Sequence, residues 1–571
     1  MRFAVLIALA ACHVARPQPS LVTTAEISQL ARTGRYAEAV ALCHDFARAY
    51  AGVACLELGR TGEGRPIVAL RISRHAGLPT ILVEGGIHAG EIEGKDAGFM
   101  FVRDLLAGTV APGALDAVDV IFVPVINPDG HERFSPNNRP NQRGPAEMGF
   151  RTNGARLNLN RDFAKAETPE IAALLGVFRT YDPLVFVDIH TTDGAKFEHD
   201  ISITVGPRAP RPDHLDATAT GIADAVAAKL TARGHLPVEF YPSFVTDDDP
   251  LSGFAIAEAP PRFSQAYAGV RSRIGILVEN HSWKTYAQRV RSSYDFLRAL
   301  FELATTEAPA WRAAAERARA ADLALGGSEL PLVYDNGPHT TELAFRGYAF
   351  DKRPSEISGG TWIVYDETRP QIWHVPLRDE LVPKVSVRVP KAGYVVDGGY
   401  AQQIAAVLDR HGIRYSRIAG EPRGELEVFR ATKVSVQPLF EGHPRMQLEG
   451  AWARETRTLD RGAIFVPIAQ PSARLIVHLL DPAGPDSLAQ WGELATAFER
   501  KEYMESYVAE EQARAMLAAD PKLRAEFDAA LAADPALAAS PKARLDWFYQ
   551  RHPSWDERMN LLPIYRADRA Y

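Results

Sequence analysis

The sequence predicts an α/β protein whose sheet is covered by helices on both faces, followed by a C-terminal α+β region. Three observations carry this. Apolar, β-branched runs alternate with helical patterns through the first half of the chain, as strands buried on both faces do. Beyond Gly326-Gly327 the strand-like runs become short and rich in Pro and Gly. Finally, 571 residues exceed what one ordinary core holds, so two domains or a little more are expected.

At the amino terminus, Arg2 precedes the apolar run Phe3 to Ala11, then Cys12 and a polar stretch, which reads as an export signal over residues 1–20. Leu9-Ala10-Ala11-Cys12 resembles the lipobox of bacterial lipoproteins, with Cys12 as the lipidated residue; a plain secretion signal is the alternative. The chain is therefore expected to be exported, as a periplasmic protein, an outer-membrane lipoprotein or an extracellular one. It would touch a membrane only through a lipid anchor at Cys12. Cys43 and Cys55 remain, and an oxidising compartment favours a small disulfide loop over two reduced, buried thiols.

Thr23 to Glu26 reads as a capping box opening an amphipathic helix that runs towards Tyr50. Strands are expected at Val53 to Leu58, Ile67 to Ile72, Thr80 to Val83, Val118 to Ile126, Leu184 to Ile189 and Ile274 to Val278. Helices are expected at Ile92 to Leu106, Pro169 to Arg179, Asp216 to Arg233 and Ala287 to Leu303. This places the first domain at residues 22–306. The helical stretch Ala308 to Leu325 leads to the accessory region, 328–571, with strands at Trp362 to Tyr365, Lys384 to Val389 and Ala463 to Val466 and a helix at Ala401 to His411. From about Leu488 the pattern is helical, with Asp520-Pro521, Asp534-Pro535 and Ser540-Pro541 as N-cap and first-turn pairs.

Composition excludes some functions. A net charge of -7 argues against a nucleic-acid partner. No internal apolar run is long enough to cross a membrane, and no repeat or low-complexity block is present.

The chemistry concentrates at strand ends. Ile81-Leu82-Val83-Glu84 runs into Gly85-Gly86, and His88 and Glu91 follow. Carboxyl ends of strands in an α/β sheet face the crevice where ligands bind. An imidazole and a carboxylate three residues apart can reach one cation, although a single His-x-x-Glu pair also arises by chance. Val185 to Ile189 ends in His190, either a third ligand or a strand-capping histidine. Glu279 ends the apolar run Ile274 to Val278, a costly place for a carboxylate unless it is paired, with Arg271 or Arg273, or works as a base. Arg151 and Arg161 suit a planar carboxylate or a developing oxyanion, and each alone would read as a solvated charge.

Together these residues resemble the zinc carboxypeptidases of the carboxypeptidase A type. The resemblance runs through Gly59 to Pro66, His88-Ala89-Gly90-Glu91, Asn127-Pro128-Asp129-Gly130, Arg151, Asn160-Arg161, His190 and Glu279, in the family's order over about half the chain. It implies a mixed, mostly parallel sheet flanked by helices. It also implies one zinc ion on His88, Glu91 and His190, Glu279 as general base and Arg151 on the oxyanion. Asn160 and Arg161 would hold the free C-terminal carboxylate of a peptide or peptide-like substrate. The expected activity is hydrolysis of the C-terminal peptide bond. A zinc amidohydrolase acting on cell-wall peptides or N-acyl amino acids stays open, as does an inactive peptide-binding homologue.

The chain departs from the family at three places. Asn158 stands where an Asp is usual, Thr191 to Gly194 replaces an aromatic-containing loop, and Ala257 occupies the spacing of a substrate-contacting Tyr. Tyr267 is the nearest substitute for that Tyr. Asp247-Asp248-Asp249 is either a solvated loop or a feature favouring basic side chains in the specificity pocket.

Overall fold

The computed structural model describes residues 21–192 and 194–571. The expected export signal and Cys12 lie outside the described residues. Thr23 does cap a helix, α1 (Thr24–Ile27), through a reciprocal pair with Glu26. That helix does not run on to Tyr50. Gln29 and Leu30 adopt positive φ, and the chain restarts as α2 (Tyr36–Ala49). Thr33, between them, donates to the buried Asp96 carboxylate at 2.6 Å, and this bond pins the interruption. Cys43 on α2 is disulfide-bonded to Cys55 on β1 (Val53–Arg60).

The first half continues with β2 (Pro66–Ile72), β3 (Thr80–Gly85), β4 (Asp119–Val123), β5 (Val185–Thr192), β6 (Ile201–Gly206), β7 (Pro237–Val238), β8 (Phe254–Ala255) and β9 (Ile274–His281). Eight of these nine strands form one sheet in the order β1-β2-β4-β3-β5-β9-β6-β7. Its centre, β4-β3-β5-β9, is parallel, while β1 and β2 pair antiparallel on one side and β6 runs antiparallel to β9 on the other. Alternate side chains of a strand face opposite ways. Accordingly Ile81, Val83, Val185 and Val187 join one core, and Leu82 and Phe186 join the other.

The helices that cover the sheet are α3 (Glu93–Leu106), α4 (Ala114–Ala117), α5 (Pro128–Glu132), α6 (Pro169–Tyr181), α7 (Leu215–Ala232), α8 (Ser264–Val270) and α9 (Tyr286–Leu323). The first core takes side chains from α2, α3, α7 and α9. The second takes α6, α8 and the C-terminal half.

The expected end of the first domain, near 306, falls inside α9. This helix runs for 38 residues and accommodates Pro309. Its small residues Ala304, Ala308, Ala314, Ala315 and Ala318 stay buried along the way, so packing adds to the high helix propensity of alanine and carries it past the boundary.

The C-terminal half holds β10 (Glu329–Asn336), β11 (Thr341–Pro354), β12 (Thr361–Arg378), β13 (Leu381–Arg388), β14 (Gly393–Val396), β15 (Ser416–Arg417), β16 (Arg423–Phe440), β17 (His443–Thr458), β18 (Ile464–Pro467) and β19 (Ile564–Ala567). Its helices are α10 (Gly398–His411), α11 (Ala473–Leu480), α12 (Ser506–Ala519), α13 (Pro521–Ala533), α14 (Pro535–Ala539) and α15 (Pro541–Tyr549). Asp520, Asp534 and Ser540 cap α13, α14 and α15 as their Pro pairs suggested. The end of the chain is not wholly helical, because β19 returns to lie between β14 and β16 in a six-stranded sheet. Among the described residues no helix is long and apolar enough to cross a membrane.

The two halves are joined closely. β12 pairs parallel with β8, Leu377 beside Phe254 and Arg378 beside Ala255. Arg474 on α11 reaches the buried Asp322 at 2.8 Å and Asp213 at 3.4 Å. Removing one partner of a buried ion pair strands the other charge. Arg474→Met is therefore expected to destabilise the whole protein by about 3 kcal/mol, read as a lower urea midpoint shared by both halves. An unchanged midpoint would mean that this network does not hold the halves together.

Candidate active site

The sheet's parallel centre sets the site. β3 ends at Gly85, and the turn to α3 needs Gly86 at φ +64°. A Cβ on Gly90 would stand 2.6 Å from the Gly149 carbonyl, so this turn passes too close to its neighbour for any side chain. His88 and Glu91 project from it, both buried. His190 lies on β5, whose ladder places it opposite Glu279 on β9. Paired residues on adjacent strands stand about 5 Å apart on one face.

Three ligand residues converge. Glu91 Oε2 is 3.0 Å from His190 Nδ1, Glu91 Oε1 is 3.1 Å from His88 Nδ1, and the two Nδ1 atoms are 3.2 Å apart. These separations are close to the ~3.3 Å edge of a tetrahedron built on zinc–nitrogen bonds of about 2.0 Å. Two imidazole nitrogens and a carboxylate oxygen are also the donors zinc accepts, so the residues fit the ion.

Behind the ligands each histidine is held by its other nitrogen. His190 Nε2 meets Asp188 Oδ2 at 2.6 Å, and His88 Nε2 meets Asn158 Oδ1 at 3.0 Å. Asn158, at the position where an Asp was expected, thus supplies an acceptor for His88. The carboxylate–histidine pair here belongs to His190. Burial opposes protonation of His190, but Asp188 and Glu91 outweigh it and raise its pKa well above the usual imidazole range. Burial lowers that of His88 to about 4. Burial also works against ionised Glu91, yet His88 and Arg139 hold it well below the usual carboxylate range. Glu84, aligned with Asp188 on the adjacent strand, is pushed well up by burial and by that neighbouring charge.

The motifs around Gly59 to Pro66 and Asn127 to Gly130 form scaffold. Thr61 and Arg65 both bond the Asp129 carboxylate at 2.7 Å, while Asn127 donates to the Ile87 carbonyl beside His88.

One cavity of about 350 Å³ gathers His88, His190, Glu279, Arg151, Asn160 and Arg161. Arg151 lies 3.3 Å from Glu91 Oε1. Arg161 stacks on Phe263 at 4.2 Å and donates to the Asn160 carbonyl at 2.7 Å. Among the described residues no carboxylate oxygen stands within 4.0 Å of Arg161. Burial, then Arg151 and Arg262, lowers its pKa to about 10. Asn160 accepts from Ser264 N at 2.9 Å, which leaves its amide nitrogen as the donor.

Tyr267 is not in the cavity. It is fully buried on α8, and its hydroxyl meets His411 Nδ1 at 3.0 Å and Arg271 at 3.1 Å. Spacing alone suggested it, but the helix turns its ring towards the C-terminal half. The tyrosine at the cavity wall is Tyr241, which accepts from Thr192 Oγ1 at 3.3 Å. Asp247 and Asp248 line a neighbouring cleft, and Asp249 pairs with Lys352, so the acidic run does not form this pocket. Sequence reasoning also passed over Arg139, which contacts Glu91 at 2.8 Å, and Asp188. Asp188 carried a signal, since a carboxylate two residues before a strand histidine shares its face. The C-terminal half reaches the site too: Glu441, in the turn between β16 and β17, accepts from the Asn158 amide at 2.7 Å.

Purified protein is expected to bind one zinc ion per chain in calorimetric titration, and His190→Ala is expected to abolish this. Asp188→Asn should weaken it about 10- to 100-fold, since partners of ligating histidines carry that much affinity. Undiminished binding in Asp188→Asn would remove the orienting role.

A family model described as zinc carboxypeptidase matches residues 39–233. A carboxypeptidase B of Helicoverpa zea is 33% identical over 111 residues, covering 18% of this chain and 25% of that protein. The inactive metallocarboxypeptidase ECM14 of Ajellomyces dermatitidis is 28% identical over 216 residues, covering 32% of this chain and 36% of that protein. The chain thus spans between a quarter and two-fifths of the length of these curated relatives. A solved metallo-carboxypeptidase from Pseudomonas aeruginosa, in complex with (2-guanidinoethylmercapto)succinic acid, is 20% identical with a TM-score of 0.35, covering 47% of this chain and 68% of that one. The segment that holds β3, the ligand turn and β5 is therefore similar to the zinc carboxypeptidase family.

Proposed function

We propose that this protein is an exported zinc metallocarboxypeptidase that removes the terminal residue from peptides with a free C-terminal carboxylate. The observation that carries this reading is the single cavity lined by His88, His190, Glu279, Arg151, Asn160 and Arg161. His88, Glu91 and His190 would hold one zinc ion, which supplies Lewis acidity and eases loss of a proton from water.

The chain's own residues account for the other roles. Arg161 has a half-buried positive charge and no carboxylate within ion-pair distance among the described residues, so it takes the substrate's terminal carboxylate, with the Asn160 amide beside it. That anchors the scissile bond next to His190 and Glu279. Glu279 accepts the proton of the attacking water and returns it to the leaving amine. Arg151 faces the carbonyl oxygen and stabilises the charge that develops there. A base, an oxyanion partner and a carboxylate clamp together support hydrolysis over passive binding. The Cys43–Cys55 disulfide supports an oxidising compartment and hence export.

Glu279→Gln is expected to lower kcat on blocked dipeptides about 10²- to 10⁴-fold while leaving bound zinc in place. Arg161→Ala should raise KM, and C-terminally amidated substrates should resist cleavage. Equal cleavage of amidated and free peptides would contradict the clamp.

A further inference from the structure

We infer that Arg208 makes the cavity selective for an acidic side chain on the released residue, glutamate before aspartate; this rests on the carboxypeptidase reading above. Arg208 follows β6, which runs antiparallel to β9. On that ladder Ser202 pairs with Glu279, whereas Gly206 pairs with Gly275, four residues nearer the start of β9. Four residues of strand span about 13 Å, so the chain carrying Arg208 enters at the end of the cavity away from the metal ligands.

The residue is built in. Glu258 Oε2 accepts from the backbone N–H groups of Arg208 and Ala209, both at 2.8 Å, which fixes the loop. The guanidinium donates to the Glu239 carbonyl at 2.7 Å. A guanidinium has five N–H donors, and among the described residues the carboxylates that act on this one, Glu258 and then Glu239, stand beyond ion-pair distance. Arg208 nevertheless lines the cavity.

Around it the wall is mostly apolar, with Phe240, Ala255, Ile256, Ala257 and Leu277. Glu279 is the single acidic side chain among the described residues lining the cavity, and it sits at the opposite end. The arginine decides between possible occupants. A lysine or arginine side chain would bring a second cation against Arg208. An apolar side chain would fill the wall but strip water from the guanidinium and give nothing back. A carboxylate reaching the far end forms a charge-assisted, two-pronged pair. The glutamate side chain reaches further than that of aspartate, which sets their order.

The test compares kcat/KM for N-blocked dipeptides ending in Glu, Asp, Gln, Phe or Lys, with the zinc-loaded wild-type protein and with Arg208→Gln and Arg208→Lys. Wild type is expected to prefer Glu over its neutral isostere Gln by about 10- to 100-fold, the range for a hydrogen-bonded charge pair. Arg208→Gln should collapse that Glu-to-Gln ratio towards one, and Arg208→Lys should retain part of it. The ratio is unaffected by the fraction of folded enzyme. Wild-type preference for Phe or Lys, or an unchanged ratio in Arg208→Gln, would overturn the selectivity while leaving the carboxypeptidase reading intact. Release of no terminal residue from any dipeptide would instead remove that reading, and this inference with it.

Discussion

The structure is organised around a carboxylate that has no access to water. Glu91 is about 2% exposed, and burying an ionised carboxylate costs several kcal/mol unless other groups compensate it. Compensation comes from three segments: His88 on the same turn, Arg139 and Arg151 on one loop, and His190 with the Thr191 amide on β5, the last at 3.0 Å. No two neighbouring strands could supply this alone. β3 and β5 must end side by side, the turn after β3 must be tight enough to need Gly86 and Gly90, and the loop from 139 to 151 must fold back over the strand ends. A divalent ion at the convergence of His88, Glu91 and His190 completes the same compensation. Local stability and metal affinity thus draw on the same charges.

The C-terminal half takes part in this arrangement. Its Glu441 holds the Asn158 amide, and Asn158 in turn holds His88. His411 accepts the Tyr267 hydroxyl behind the second core and also bonds the Ala164 carbonyl at 2.8 Å. β12 pairs beside the strand that carries Ala255, a wall of the cavity. The first half would lose part of its cleft without these contacts.

Much of this was legible in the sequence because the chemistry sits at the ends of apolar strands. Val185 to Ile189 leading to His190, and Ile274 to Val278 leading to Glu279, mark both the sheet and the residues at its mouth. Pairwise side-chain relations were less visible. Tyr267 matched a spacing, but α8 directs its ring to His411, a residue 144 positions away that no local pattern links to it. Arg139 reads as a loop charge until the loop folds onto Glu91. β6 follows closely on a polar loop, so Arg208 gave no sign of reaching the cavity. The long hairpins β11–β12 and β16–β17 carry polar residues on exposed faces, which hides strand periodicity among Pro and Gly.

The central claim is that His88, Glu91 and His190 form the metal centre, and anomalous diffraction at the zinc edge tests it most directly. A crystal of the protein loaded with one equivalent of zinc should show a single strong peak about 2.0–2.2 Å from both Nδ1 atoms and a Glu91 oxygen. Among the described residues, Glu167, His443 and Glu493 form a second group whose ligand atoms approach one another closely enough to hold an ion. A peak there, with none between His88 and His190, would contradict the account.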